Sequence, residues 1–186
     1  MSNRRIGIFI DAAYLAYVLK MEHNQKKIDL SKFAKKMADL SGNPDVLRAY
    51  YYDSLPYLSQ NPSPDEQDRF NRKTGYIEAI KRIPRMEVRL GVCEFRPTSE
   101  NGFKQKQVDM MLGVDLVKLA IKGKIDDAAL FIGDSDFLPA IEVVKNEGVS
   151  VHLFHGLNAH KSVIARCDTS RYLSEEFIDS VPFQEN

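Results

Sequence analysis

An α/β fold built on a mainly parallel sheet is the class this sequence predicts, and three observations carry it. Short apolar runs of strand length alternate with longer stretches at helical spacing. The runs Ile6 to Ile10 and Ala128 to Ile132 are apolar without interruption by charge, as strands covered on both faces are. Aspartates stand just beyond them, at Asp11 and Asp134, and right-handed crossovers would bring such strand ends to one edge of the sheet.

Residues 5 to 10 form the first strand. Ala12 to Met21 follow as a helix with Leu15, Val18 and Leu19 at helical spacing, and Leu30 to Leu40 make a second behind Asp29, which suits an N-cap. Gly42-Asn43-Pro44 stops it. Val46 to Tyr52 favours a strand, in which Tyr50, Tyr51 and Tyr52 pack rather than stack bases. Three prolines between Ser54 and Asp65 make that segment a surface loop. Glu66 to Ile83 suits a helix ended by Pro84, and Met86 to Phe95 alternates Val88, Leu90 and Val92 inward with Glu87, Arg89 and Gly91 outward. Residues 97 to 105 are polar, and mobility is expected there. Val108 to Ile121 is a helix apolar enough to be largely buried, closed by Gly123. After the strand at 128 to 133, a helix tolerates Pro139 only in its first turn and ends at Gly148. Val149 to Phe154 is a strand, and residues 159 to 166 a last helix.

A chain of 186 residues suits a single domain with one core. Cys93 and Cys167 fit packing thiols of a reduced compartment better than a disulfide framework. No leader pattern and no membrane-spanning stretch are visible, so a cytoplasmic protein without a membrane partner is expected. The formal charge of zero excludes whole-molecule attraction to nucleic acid, and a polyanion would need a local patch. One exists: from Arg69 to Lys106 there are ten Lys and Arg against four Glu. It reads equally as a solvated helix face.

Several chemistries are excluded by spacing. No Gly-x-Gly-x-x-Gly follows the first strand, which removes a dinucleotide site. Gly156 to Ser162 has the wrong spacing for a phosphate loop. His152, His155, His160 and Cys167 lack the paired spacing of a zinc site and read as strand-end and surface residues.

The remaining chemistry lies in Asp11, Asp109, Asp134 and Asp136. Each alone reads as a helix cap or turn residue. Together at one edge they would repel, by roughly 1 kcal/mol per pair at about 4 Å in water and about 4 kcal/mol at an effective dielectric of about 20. Mg2+ or Mn2+ would remove that penalty, because short carboxylates on rigid strand ends are the hard oxygen ligands such ions take. Lys106 could contact a substrate phosphate and Ser135 a bound water or phosphate oxygen, the alternatives being a loop lysine and a turn hydroxyl. Asp115, six residues beyond Asp109, is rotated off its face and suits a supporting role or a bond to a neighbouring helix end.

At these residues the chain resembles the NYN domains, the PIN-like nuclease group that includes the LabA-like proteins. The matching segments are Ile8-Phe9-Ile10-Asp11 with Leu15, Lys106-Gln107-Val108-Asp109 continuing to Val114-Asp115-Leu116, and Gly133-Asp134-Ser135-Asp136-Phe137-Leu138-Pro139. Tyr50-Tyr51-Tyr52 and Gly148-Val149 agree as well, so the likeness runs from about residue 4 to 173. It implies a three-layer α/β/α sandwich whose five-stranded parallel sheet has the order 3-2-1-4-5. It also implies metal-dependent cleavage of RNA, with Asp11, Asp109 and Asp134 as metal-binding acids and Asp136 as the second acid of the Gly-Asp-x-Asp-Phe motif. Two departures bear on activity: Tyr14 stands where members often carry Asn, and Gln107 where they carry Gly. The leading expectation is a Mg2+- or Mn2+-dependent endoribonuclease acting on RNA. Its alternatives are a non-catalytic domain that binds RNA or protein, a homodimer included, and a metal-dependent phosphohydrolase acting on small phosphates.

Overall fold

The computed structural model describes the backbone of residues 4–95 and 103–184 and the side chains of 4–93 and 107–184. Strand β1 (Ile6–Asp11) is buried along its apolar length, as its composition requires. Helix α1 (Ala12–Glu22) starts at once behind it, capped by Asp11. In helix α2 (Leu30–Leu40) the side chain of Asp29 accepts from Ser31 and Lys32 N–H, and Phe33 and Met37 are fully buried. Burying side chains of that size stabilises the fold by roughly 1.5–3 kcal/mol each.

Strand β2 (Val46–Ser54) carries the three tyrosines into the interior, as predicted. Helix α3 (Pro64–Lys81) begins two residues earlier than expected, because Ser63 and Glu66 form a capping box and Pro64 suits the first turn. Strand β3 (Met86–Phe95) has Val88 and Leu90 packed against the core as expected, whereas Val92 is 48% exposed, near the sheet margin. Of the polar stretch expected at 97 to 105, residues up to 102 lie outside the described residues, and Phe103–Lys106 forms an edge strand, β4, antiparallel to β3. Helix α4 (Val108–Ile121) has its predicted bounds, and Gly123 turns the chain with φ 56°.

Strand β5 (Asp127–Phe131) leads to a 3-10 turn at Ser135–Phe137 and helix α5 (Leu138–Asn146), with Pro139 in its first turn. Strand β6 (Ser150–His155) and helix α6 (Lys161–Arg166) follow. Strand β7 (Thr169–Tyr172) and helix α7 (Glu175–Asp179) were not expected. The sheet runs β4-β3-β2-β1-β5-β6-β7, and every pair except β3–β4 is parallel. Its centre, β3-β2-β1-β5-β6, is the 3-2-1-4-5 order expected, widened by an edge strand on each side.

Two cores lie on opposite faces. One joins Ile6, Ile8 and Ile10 to α1, α2, α3 and α7, and the other joins Phe9, Tyr50 and Tyr52 to α4, α5 and α6. This is the α/β/α sandwich. At the amino ends of the strands Asp127, 2% exposed, is clamped by Arg4 at 2.7 Å, Asn43 at 2.7 Å and His152 at 3.2 Å. Among the described residues no helix is long and apolar enough to cross a membrane.

Candidate functional site

Parallel pairing of β1 with β5, in which Ile10 lies opposite Phe131, brings Asp11 and the segment after β5 to one edge. Helix α4 covers the Phe9 face and begins at the same edge, which adds Asp109 in its first turn. Asp134 and Asp136 follow in the 3-10 turn.

Repulsion links Asp109 to each of the other three. Burial pushes the Asp11 carboxyl up to about 6; its bonds from Tyr14 and Ala13 N–H oppose the rise, and the charges of Asp109 and Asp53 add to it. Burial also raises Asp109, and Asp134 and Asp136 raise it further. No Lys or Arg among the described residues forms an ion pair with any of the four. A hard divalent cation fits this donor set, because it would supply the missing positive charge to carboxylate oxygens.

The side chains do not yet form a cage. Among the described residues no three His, Cys, Asp or Glu are gathered closely enough to hold a metal ion. Capping explains part of this. Asp11 Oδ1 accepts from Ala13 N–H at 2.9 Å and Tyr14 N–H at 3.1 Å, and Asp134 Oδ1 accepts from Asp136 N–H at 3.0 Å. The blander account of Asp11 and Asp134 as caps is therefore true of one oxygen of each. Asp109 is not a cap: Gln107 occupies that position, without a side-chain bond.

The other expected residues divide. Ser135 Oγ lies 3.5 Å from Asp134 Oδ1, beside the acids. The backbone of Lys106 pairs with Val92, and its side chain lies outside the described residues. Among the described residues the basic segment is not a free stripe, because Arg72, Lys73, Lys81 and Arg89 pair with Asp68, Asp53, Glu78 and with Glu87 and Asp115. Asp115 Oδ2 accepts from Tyr52 Oη at 3.2 Å and Arg89 Nε at 3.1 Å, so it ties α4 to β2 and β3 rather than to a helix end.

One contributor was hidden from sequence reasoning, and the two departures from the family pattern gain a structural meaning. Asp53, 3% exposed at the end of β2, faces Lys73 Nζ at 2.5 Å without hydrogen-bond geometry. Its one sequence signal was a carboxylate ending an apolar run. Tyr14, the departure from the family pattern, accepts from Gly156 N–H at 3.0 Å, and a Cβ at Gly133 would come within 2.3 Å of its ring. Gln107 sits at φ 73°, a left-handed conformation that costs a residue other than glycine roughly 1–3 kcal/mol. A glycine there would be unstrained, which is the physical meaning of the second departure.

Comparison with known proteins agrees with this arrangement. The model of the NYN domain matches residues 5–175. No curated protein matches the chain. Among solved structures, a chain from "Structural Basis for the Mechanism and Regulation of Sir2 Enzymes" is similar over 97% of this chain and 92% of its own, at 9% identity and a TM-score of 0.40. That likeness is too slight to bear on fold or function.

Proposed function

The chain belongs to the NYN domain family, within the PIN-like nuclease superfamily, and from that premise we propose that it is a Mg2+- or Mn2+-dependent endoribonuclease. What supports the proposal is the family match together with Asp109 near the carboxyl edge of the sheet, whose charge repels those of Asp11, Asp134 and Asp136. Asp11, Asp109, Asp134 and Asp136 would hold the ion, each through an oxygen turned away from its cap or helix.

A bound divalent ion supplies Lewis acidity to a phosphodiester oxygen and lowers the pKa of a coordinated water. Around it the chain would bind and orient the strand. Ser135 stands beside Asp134 and can donate to a phosphate oxygen or to a water. Lys106, in the strand that precedes α4, would meet a phosphate as a point charge.

Three observations favour a second reading. Asp11 and Asp134 already serve as caps, Tyr14 is tied to Gly156, and no ligand cluster forms among the described residues, which suits a non-catalytic domain that binds RNA. Purified protein incubated with single-stranded RNA and Mg2+ or Mn2+, beside the Asp134→Asn variant, separates the two. Cleavage by the wild type and none by the variant is the expected result. Salt-sensitive binding without cleavage in any divalent ion establishes the second reading instead. Equal hydrolysis of small phosphoesters would point to a general phosphohydrolase.

A further inference from the structure

On the side of α4 turned away from Asp109 lies a cleft of about 380 Å3, lined among the described residues by Arg89, Gln107, Met110, Met111, Val114 and Asp115. We propose that it is a subsite for an unpaired nucleobase of the RNA strand whose phosphate is held at the aspartates, an inference that rests on the nuclease reading above.

Position is the first argument. Gln107, at the N-cap of α4, lines the cleft, so the cleft begins at the helix end that carries Asp109, and a strand crossing that end would reach both. The sheet register gives the same answer, because Asp11, Tyr52 and Arg89 are consecutive partners across β1, β2 and β3. Arg89 is therefore two strand spacings from Asp11, about 10 Å.

Charge is the second. Arg89 pairs with Glu87 at 2.5 Å and with Asp115 at 3.1 Å, and its guanidinium lies 5.8 Å from the centre of the Tyr50 ring. The cation is thereby neutralised and its plane fixed, so the cleft has little to offer a phosphate. It suits a neutral, flat ligand.

Surface chemistry is the third. Met110 is 71% exposed and Val114 54% exposed, apolar side chains left in water on a helix that buries its opposite face. A thioether beside an aromatic face is a favourable contact. At the rim the Gln107 amide can donate and accept, and no described residue donates to Asp115 Oδ1, so the edge of a base has partners for its own donors and acceptors. Size argues against a protein partner. The volume is at the low end of small-ligand clefts, roughly 300–1,000 Å3, while a stable protein interface needs about 800 Å2 on each side.

The test is fluorescence anisotropy with a short single-stranded RNA in Ca2+, whose flexible coordination lets the aspartates hold an ion without the octahedral geometry of Mg2+, so that binding is read without cleavage, and an Asp134→Asn arm serves as the control. Met110→Ser and Val114→Ser change exposed positions, and thermal melting checks their fold. Each is expected to weaken binding by about 5- to 100-fold, the range of one lost base contact. An abasic site scanned along the RNA should cost the unmodified cleft the same factor at one position and cost the serine variants nothing more. Undiminished binding by both variants, or an abasic effect that is the same at every position, overturns the subsite and leaves the nuclease reading intact. A fall in molar mass by light scattering in the serine variants, with unchanged affinity, overturns it in favour of a contact between copies of the chain. Protein with an unmodified cleft that binds no RNA, whether carrying Asp134 or Asn at that position, overturns the nuclease reading and the subsite together.

Discussion

Replacing Asp11 by Asn should make the metal-free protein more stable, not less. Asn caps a helix as well as Asp does, so the bonds from Ala13 and Tyr14 N–H survive the change. What disappears is a buried charge facing Asp109 and Asp53. The carboxyl is raised from 3.8 to about 6, roughly two pKa units, which corresponds to about 3 kcal/mol of charged-state destabilisation at neutral pH. Because the folded-state pKa lies above the unfolded one, folded protein holds the proton more tightly between 3.8 and about 6. Stability contributed by the protonated group is thus full below that window and is lost as pH rises through it. Urea unfolding in EDTA at pH 4.5, 6 and 7.5 would read this directly. Wild type should lose stability across the series relative to Asp11→Asn, and the variant should gain up to about 3 kcal/mol at pH 7.5, a rise in Tm of roughly 6–12 °C. Parallel pH profiles, or a variant less stable than wild type at pH 7.5, would refute the view that these acids repel without compensation.

Further outcomes follow from the same contacts. Mg2+ or Mn2+ at about 100 times its Kd should raise the stability of the wild type by about 2.7 kcal/mol through binding to the folded state, and differential scanning fluorimetry of Asp134→Asn should register little of it. Gly133→Ala drives a methyl into the Tyr14 ring, so a loss of about 1–3 kcal/mol is expected in chemical denaturation; no loss would mean that the ring swings aside freely. Asp127→Ala leaves buried Asn43 and His152 without their acceptor and frees the exposed Arg4 at the far end of the sheet, and should cost about 1–3 kcal/mol without altering RNA binding, checked by urea melts beside anisotropy.

Much of the centre of the molecule was legible because burial on both faces leaves uninterrupted apolar runs. That same signal placed Asp11 and Asp134 at one edge. Strands β4 and β7 were not legible, since Phe103–Lys106 and Thr169–Tyr172 are four residues each and mostly polar, and pairing with a neighbour rather than side-chain pattern makes them strands. The site was half legible. Spacing announced the acids but not their orientation, which depends on whether an oxygen faces a helix N-terminus or open space. Asp53 was missed because its partner Lys73 returns from α3, twenty residues later in the chain. The same pairing explains why a segment rich in Arg and Lys does not make a free cationic stripe among the described residues: the compensating acids come from β2, β3 and α4 as well as from its own helix.

The two rims of the sheet carry a consequence for handling the protein. An exposed strand margin is a template for uncontrolled stacking of chains into aggregates, the more so when it is long and greasy. Here one margin is the four-residue β7, whose Thr169, Ser170, Arg171 and Tyr172 are all solvent-facing, and the other is the four-residue β4, with two lysines in its sequence. Neither offers a sticky ladder, so concentrated samples should stay dispersed and turbidity on heating should trail the loss of tertiary structure.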